Sequence, residues 1–433
     1  MKSSFIKISL IITGILVSWI TYAQQRFPRP EFESEHQAPS ILLPEPNQGI
    51  YEYLDVFVLL AVLSLATYLV LKKRSRKGIL YLSIFTLAYF GFYREGCICS
   101  IGAIQNVTLA MADPGYTISL STLAFFMLPL FFALFAGRVF CGGACPLGVI
   151  QDLIIIKPIE LPVGVRKALG LIPYIYLGLA ILYAATQTDF IICRYDPFVG
   201  IFRMDASFSM LALGGSFLII GMFVGRPYCR FFCPYGVLLG WMSSVSKKHM
   251  TITPSECVDC KLCEKSCPMD AINKPVHEPV SSKKDINRFL VSAILIPLWI
   301  IAGGYIVSSA HVLLSKGNRT VQLAELLITN PELKQDPDNI DIQTFLSKGK
   351  TMDELVSEAS FIRHQFYTGG WFLGGFLGLV FGVVFSRKTI YRNRVDFEPN
   401  KSNCVSCGRC MDYCPVGKPD FDAIMKKLNE EQG

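Results

Sequence analysis

Histidine is scarce in this chain: five residues in 433, and no two face each other inside its apolar runs. That argues against a haem held between two histidines. No G-x-x-x-x-G-K-[ST] run occurs, so nothing points to a nucleotide-driven pump. No Ser/His/Asp arrangement suggests nucleophilic catalysis, and no catalytic residue is assigned. Charge is thin as well. Charged residues make up 17% of the sequence against 52% hydrophobic, where soluble domains carry about 25% charge. That is a membrane composition. The net charge of +7 is explained below by membrane orientation, and gives no argument for nucleic-acid binding.

Cysteine is abundant, with 15 residues. Cys257, Cys260, Cys263 and Cys267 precede Pro268, and Cys404, Cys407, Cys410 and Cys414 precede Pro415. Both runs read C-x2-C-x2-C-x3-C-P, the spacing that holds [4Fe–4S] clusters in bacterial ferredoxins. The competing reading is structural zinc on C-x2-C knuckles, but the full spacing and the proline, present twice, favour two clusters. The fourth cysteine of such a run usually ligates the other run's cluster. One expected set is therefore Cys257, Cys260, Cys263 and Cys414, and the other is Cys404, Cys407, Cys410 and Cys267.

Apolar runs recur at about 54–71, 79–93, 119–136, 168–186, 209–225, 289–310 and 367–385. Each is long enough to span a bilayer, or nearly so. The run at 79–93 is short and reads as a helix that stops inside the membrane, which is tolerated beside a protein-enclosed site. Residues 1–23 read as a signal peptide, with an uncleaved N-terminal anchor as the alternative. The expected fold is thus an all-α polytopic membrane protein of about seven transmembrane helices after a signal peptide. It carries a split, cytoplasmic, two-cluster ferredoxin domain of bacterial type. The organisation is a periplasmic segment at 24–53, a five-span core with cysteine hairpins at 54–248, and ferredoxin half 1 at 249–287. A two-span hairpin with a periplasmic insert at 311–365 occupies 288–387, and ferredoxin half 2 occupies 388–433.

Basic residues orient the spans. Lys72, Lys73, Arg74, Arg76 and Lys77 follow the first; Lys157, Arg166 and Lys167 the third; Lys247 and Lys248 the fifth. Lys283, Lys284 and Arg288 precede the sixth, and Arg387, Lys388, Arg392 and Arg394 follow the last. With simple alternation all of these share one side with both ferredoxin runs. That side is expected to be the cytoplasm, with the chain in the bacterial inner membrane.

The membrane part has a repeat of its own. Gly137-Arg138-Val139-Phe140-Cys141 to Cys145-Pro146 matches Gly225-Arg226-Pro227-Tyr228-Cys229 to Cys233-Pro234 as G-R-x-[FY]-C-x3-C-P. A fainter echo lies on the opposite face. Cys97 and Cys99 head a stretch ending at Gln105 that resembles Cys145 to Gln151, and Cys193 is followed by Asp196-Pro197. Two further metal or Fe–S centres follow as expectations. Cys141, Cys145, Cys229 and Cys233 form the inner one; Cys97, Cys99 and Cys193, with Asp196, form the outer one. Buried structural cysteines are the alternative for the first set, and a disulfide for the second. Elsewhere, Thr351 and Glu354 form a capping box expected to open a short helix. Gly370, Gly374, Gly378 and Gly382 form a stripe that lets another helix approach.

The paired hairpins followed by ferredoxin runs resemble the NosR/NapH family of membrane polyferredoxins. The resemblance covers roughly residues 54–280 and the final ferredoxin half. NosR-like members also carry an outer flavin domain with an S-G-A-T-like attachment motif; neither is found here, so no covalent flavin is expected in this chain. The resemblance implies membrane electron transfer between a cytoplasmic ferredoxin domain or quinol and a periplasmic redox partner, whether flavoprotein, cytochrome or reductase. Quinone is a further partner to be considered. Two other roles stay open: a quinol-oxidising subunit of a periplasmic reductase system, and a redox sensor or reductase maturation factor. In each the chain is a component of an oxidoreductase system rather than a stand-alone catalyst.

Overall fold

The computed structural model describes residues 50–418 except 97–98, 157, 160, 205, 254–256, 276–286, 288–289, 292–293, 333–339, 348, 350, 388–395 and 417. The expected signal peptide and Cys97 lie outside the described residues. The described chain is mostly helical. Three helices, Tyr51–Leu71, Val163–Ala185 and Met352–Ser386, are long and apolar enough to cross a membrane. Ala103–Ala112, Leu120–Ala136, Phe208–Gly221 and Ile296–Ser309 are shorter apolar helices.

The run at 79–93 folds in two pieces, an α-helix at Arg76–Thr86 and a π-helix at Leu87–Tyr93. Ser75 caps the start, its hydroxyl accepting from Gly78 N at 3.2 Å. The wider π turns end at Arg94, which pairs with the buried Asp55 at 2.7 Å. π turns inside helices often mark functional sites, and Cys99 stands six residues beyond the end of this one.

The glycine stripe packs as its spacing suggests, against Ile296–Ser309. A Cβ on Gly374 would lie 2.1 Å from Gly303 O, and one on Gly378 would lie 2.1 Å from Trp299 O. No side chain fits, so the two backbones touch directly. The capping box forms: Glu354 Oε2 accepts from Thr351 N at 2.9 Å, and Thr351 Oγ1 accepts from Glu354 N at 3.3 Å. The helix it opens is not short, however. It runs for 36 residues, Met352–Arg387, and contains the last apolar run. An apolar face can continue because Val321, Ala324, Leu327, Ile342, Phe345, Leu355 and Ala359 build a separate small core on its first turns.

The two cysteine runs meet through the only strand pairing among the described residues. Ile272 faces Pro399 and Asn273 faces Glu398 in an antiparallel register. Asn400 N then donates to Ala271 O at 2.7 Å. Segments more than a hundred residues apart are thereby closed into one unit beneath the helices.

Candidate functional site

The two ferredoxin loops have the same backbone. Asp259 and Lys261 in the first are left-handed, with φ of 51° and 60°; Ser406 and Gly408 in the second have φ of 54° and 75°. These are equivalent positions, two and four residues after the leading cysteine. Each pair feeds a five-residue helix, Leu262–Ser266 or Arg409–Tyr413. Left-handed backbone at non-glycine residues costs about 1 kcal/mol or more each. Strain of this kind concentrates where a loop must wrap a ligand.

The sulfurs gather around two hollows. Cys257, Cys260, Cys263 and Cys414 line one, with Ile252, Phe397 and Val416. Cys267, Cys404, Cys407 and Cys410 line the other, with Met250, Met269 and Ile272. Among the described residues, no carboxylate or imidazole lines either hollow. Four thiols in an apolar pocket are the donor set an iron–sulfur cluster requires. Among the described residues, no three His, Cys, Asp or Glu side chains close to the spacing of a single metal ion. Burial pushes the Cys404 thiol up to about 12 and the Cys263 thiol up to about 11. The positive charge of bound iron would offset that cost of ionisation.

The second hollow lies directly against the membrane hairpins. A Cβ on Gly142, between Cys141 and Cys145, would fall 2.5 Å from Val405 O; one on Gly225 would fall 2.3 Å from Pro268 O. Arginines complete the join. Arg76 donates to Cys407 O at 2.7 Å and to Asp152 at 2.6 Å. Arg409 donates to Asp152 O at 2.8 Å, and Arg138 donates to Ser402 O at 3.0 Å. Arg166 and Arg230 both reach Asp270. Arg74 donates to Ile252 O at 2.6 Å. Thus Arg74, Arg76 and Arg166, which the sequence offers as orientation signals, also dock the ferredoxin halves. Burial alone would raise the Asp152 carboxyl, but Arg226, Arg409 and Arg76 outweigh it and hold the group well below the usual carboxylate range.

The inner hairpins are related by an approximate two-fold. Each G-R arginine reaches the other hairpin's glycine: a Gly236 Cβ would meet Arg138 Nη2 at 3.0 Å, and a Gly148 Cβ would meet Arg226 Nη1 at 3.3 Å. Arg226 is fully buried and donates to Cys141 O at 2.6 Å. Arg138 donates to Cys141 Sγ at 3.7 Å, and Gln151 Nε2 to Cys229 Sγ at 3.3 Å. Cys145 and Cys233 lie within electrostatic reach of Cys141 and Cys229, and a cationic and an amide donor reach the sulfurs of Cys141 and Cys229.

Cys99, Cys193 and Asp196 line a separate cavity with Glu52, Arg94, Ser121 and Arg203. Glu52 begins the helix Ile50–Leu71, whose far end leads to Arg74 on the ferredoxin side. The outer set therefore sits at the opposite end of the helical layer from the ferredoxin runs. Cys99 and Cys193 are free thiols.

In the sequence Arg138 and Arg226 stand within the hairpin motif and Gln151 at the end of its repeat without an assigned role, and Asp152 and Asp270 carry no signal. The signal for the first two was available: an arginine repeated at the same position in an apolar setting needs an anionic or carbonyl partner. Nothing local flags Asp152 or Asp270, whose partners come from distant segments.

Two family models match, each described as a 4Fe-4S binding domain. One covers residues 118–158 and 206–253, the inner hairpins; the other covers 250–273 and 397–417, the ferredoxin loops. An uncharacterised protein of Methanocaldococcus jannaschii is 30% identical over 210 residues, 46% of this chain and 84% of the relative. The regulatory protein NosR of Pseudomonas aeruginosa is 30% identical over 240 residues, half of this chain and 33% of NosR. The ferredoxin-type protein NapH of Haemophilus influenzae is 23% identical over 208 residues, 44% of this chain and 71% of NapH. The match thus spans most of the archaeal relative but only a third of NosR. No solved structure matches.

Proposed function

Because the chain belongs to the NosR/NapH-type family of 4Fe-4S membrane polyferredoxins, we propose that it is an electron-transfer subunit that conducts single electrons across the membrane. In this reading about seven helices span the bilayer, and the ferredoxin halves form one two-cluster domain on the cytoplasmic face of the inner membrane. The far face meets a periplasmic redox partner. The observation that supports it is the regrouping of the runs, Cys414 beside Cys257, Cys260 and Cys263, and Cys267 beside Cys404, Cys407 and Cys410.

When bound, each [4Fe–4S] cluster supplies one-electron redox chemistry. The chain's residues do the rest. The eight ferredoxin cysteines hold two clusters. Cys141, Cys145, Cys229 and Cys233 hold a third centre, with Arg138 and Gln151 donating to its sulfurs. Such hydrogen bonds raise the potential of an iron–sulfur site. Cys260 is exposed, a position suited to exchange with a soluble partner. The set containing Cys407 is buried against the hairpins, the position suited to onward transfer.

Paired substitutions test the ligand sets. In anaerobically purified full-length protein, Cys414→Ala with Cys260→Ala should remove one ferredoxin EPR signal. Cys414→Ala with Cys407→Ala should remove both. The reverse pattern would show that each run serves its own cluster. Reporter fusions at Gly317 and after Gly433 should report opposite sides of the membrane; a shared side would overturn the topology.

A further inference from the structure

The stretch Cys99 to Gln105 and the stretch Cys145 to Gln151 both read C-x-x-G-x-I-Q, and the structure uses them alike. Gly102 N donates to Cys99 Sγ at 3.4 Å, and Gly148 N donates to Cys145. Gln105 Oε1 accepts from Ile192 N at 2.9 Å; Gln151 Oε1 accepts from Tyr228 N at 3.0 Å. Ile192 immediately precedes Cys193, and Tyr228 immediately precedes Cys229. A Cβ on Gly102 would meet Cys193 Sγ at 3.0 Å, and one on Gly148 would meet Cys229 Sγ at 3.8 Å. The outer pair Cys99 and Cys193 is therefore the counterpart of the inner pair Cys145 and Cys229.

One bond differs. Gln151 Nε2 donates to Cys229 Sγ, while Gln105 Nε2, on a residue with no exposed surface, has no partner among the described residues. Asp196 carries a second orphan. Its Oδ1 accepts from Phe198 N at 2.9 Å and Val199 N at 3.3 Å. Its Oδ2 is buried without a partner among the described residues, in the wall of a cavity of about 230 Å³ that Cys99 and Cys193 also line. A buried carboxylate oxygen left unpaired in a cavity wall shared with two thiols calls for a bound group, and the unpaired Gln105 amide belongs to the side chain that holds Ile192, the residue before Cys193. The cavity wall also carries Arg203, Arg94 in its pair with Asp55, and Glu52, which accepts from Ser121.

We infer that this cavity holds an iron–sulfur centre of mixed ligation, with Cys99 and Cys193 as thiolate ligands, Asp196 Oδ2 as an oxygen ligand, and Gln105 Nε2 as a donor to its sulfur. The inference rests on the electron-transfer reading and adds a centre at the far face of the protein. Ring contacts join it to the inner hairpins. Phe198, two residues past Asp196, packs edge-on against Tyr228, beside Cys229, with centroids 5.3 Å apart.

The test uses full-length protein reconstituted anaerobically with ferrous iron and sulfide, read by iron and acid-labile sulfide content and by EPR. Cys99→Ala and Cys193→Ala should each lose the same increment of iron and sulfide while both ferredoxin signals persist. Asp196→Cys should keep the iron and shift the signal of the outer centre. Gln105→Leu should keep the iron and lower that centre's midpoint potential, since a donor to sulfur is lost. Those two milder variants hold the inference to account if the alanine variants fold poorly. Unchanged iron and sulfide in the Cys99→Ala, Cys193→Ala double variant would overturn it. So would a Cys99–Cys193 disulfide in the protein as isolated, or zinc bound there without sulfide. Wild-type protein lacking ferredoxin signals would instead overturn the electron-transfer reading itself.

Discussion

The loop from Cys257 to Cys267 and the loop from Cys404 to Cys414 share cysteine spacing, left-handed turns and the short helix that follows. Their surroundings differ. In the first, Cys260 is exposed, and Lys274 pairs with Glu264 at 2.6 Å with the lysine largely in solvent. In the second, all four cysteines are buried, Val405 and Ser406 press on Gly142, and Arg76 and Arg409 tie the loop to Asp152. The same local sequence therefore makes the same cradle twice, and tertiary contacts give the two cradles different work. Exposure and hydrogen bonding to sulfur set cluster potentials, so two identical loops need not hold electrons equally.

The comparison breaks hardest at Arg226. It has no exposed surface and pairs with Asp152 at 3.4 Å across the hairpin join. Arg226→Ala should cost about 3–5 kcal/mol, the usual penalty for leaving a buried charge uncompensated. In detergent-solubilised protein the thermal midpoint should drop. The cluster under the hairpins should be lost on heating before the one at Cys260; equal loss of both would deny the loops their difference. Next in size is Gly142→Ala. Its methyl would sit 2.5 Å from Val405 O and 2.8 Å from Ser406 O, forcing the second loop away at a cost of about 1–3 kcal/mol. The EPR line of that cluster should change while the other stays constant, and an unaltered spectrum would mean that the loop does not rest on the hairpin. The smallest effect belongs to Lys274→Ala on the exposed loop. A surface ion pair contributes about 0–1 kcal/mol, so stability and both signals should stay within error. A drop as large as that of Gly142→Ala would place the first loop in a contact of its own.

Much of this was readable one segment at a time. Cysteine spacing identifies a cluster loop because the ligands lie within a few residues of one another. The glycine stripe and the Thr351–Glu354 box are readable for the same reason, since helical periodicity and capping act over one or two turns. The same short reach made the box look like the start of a minor helix, because nothing local says that the helix continues for 36 residues. The π turns at Leu87–Tyr93 were equally hidden, since an apolar run reads alike in either helix type.

By itself, then, the sequence determined the donor chemistry: thiols in two ferredoxin runs, thiols in repeated hairpins, and an apolar chain to carry them. Only the tertiary structure decided that Asp152 gathers Arg76, Arg226 and Arg409, and that Asp196 leaves an unpaired oxygen in the cavity that Cys99 and Cys193 line. The reason is one of range. Ligand order within a loop is set by covalent spacing and a few backbone angles. Partners from segments far apart in sequence are set by helix packing, and by the cost of leaving a buried charge or amide unpaired.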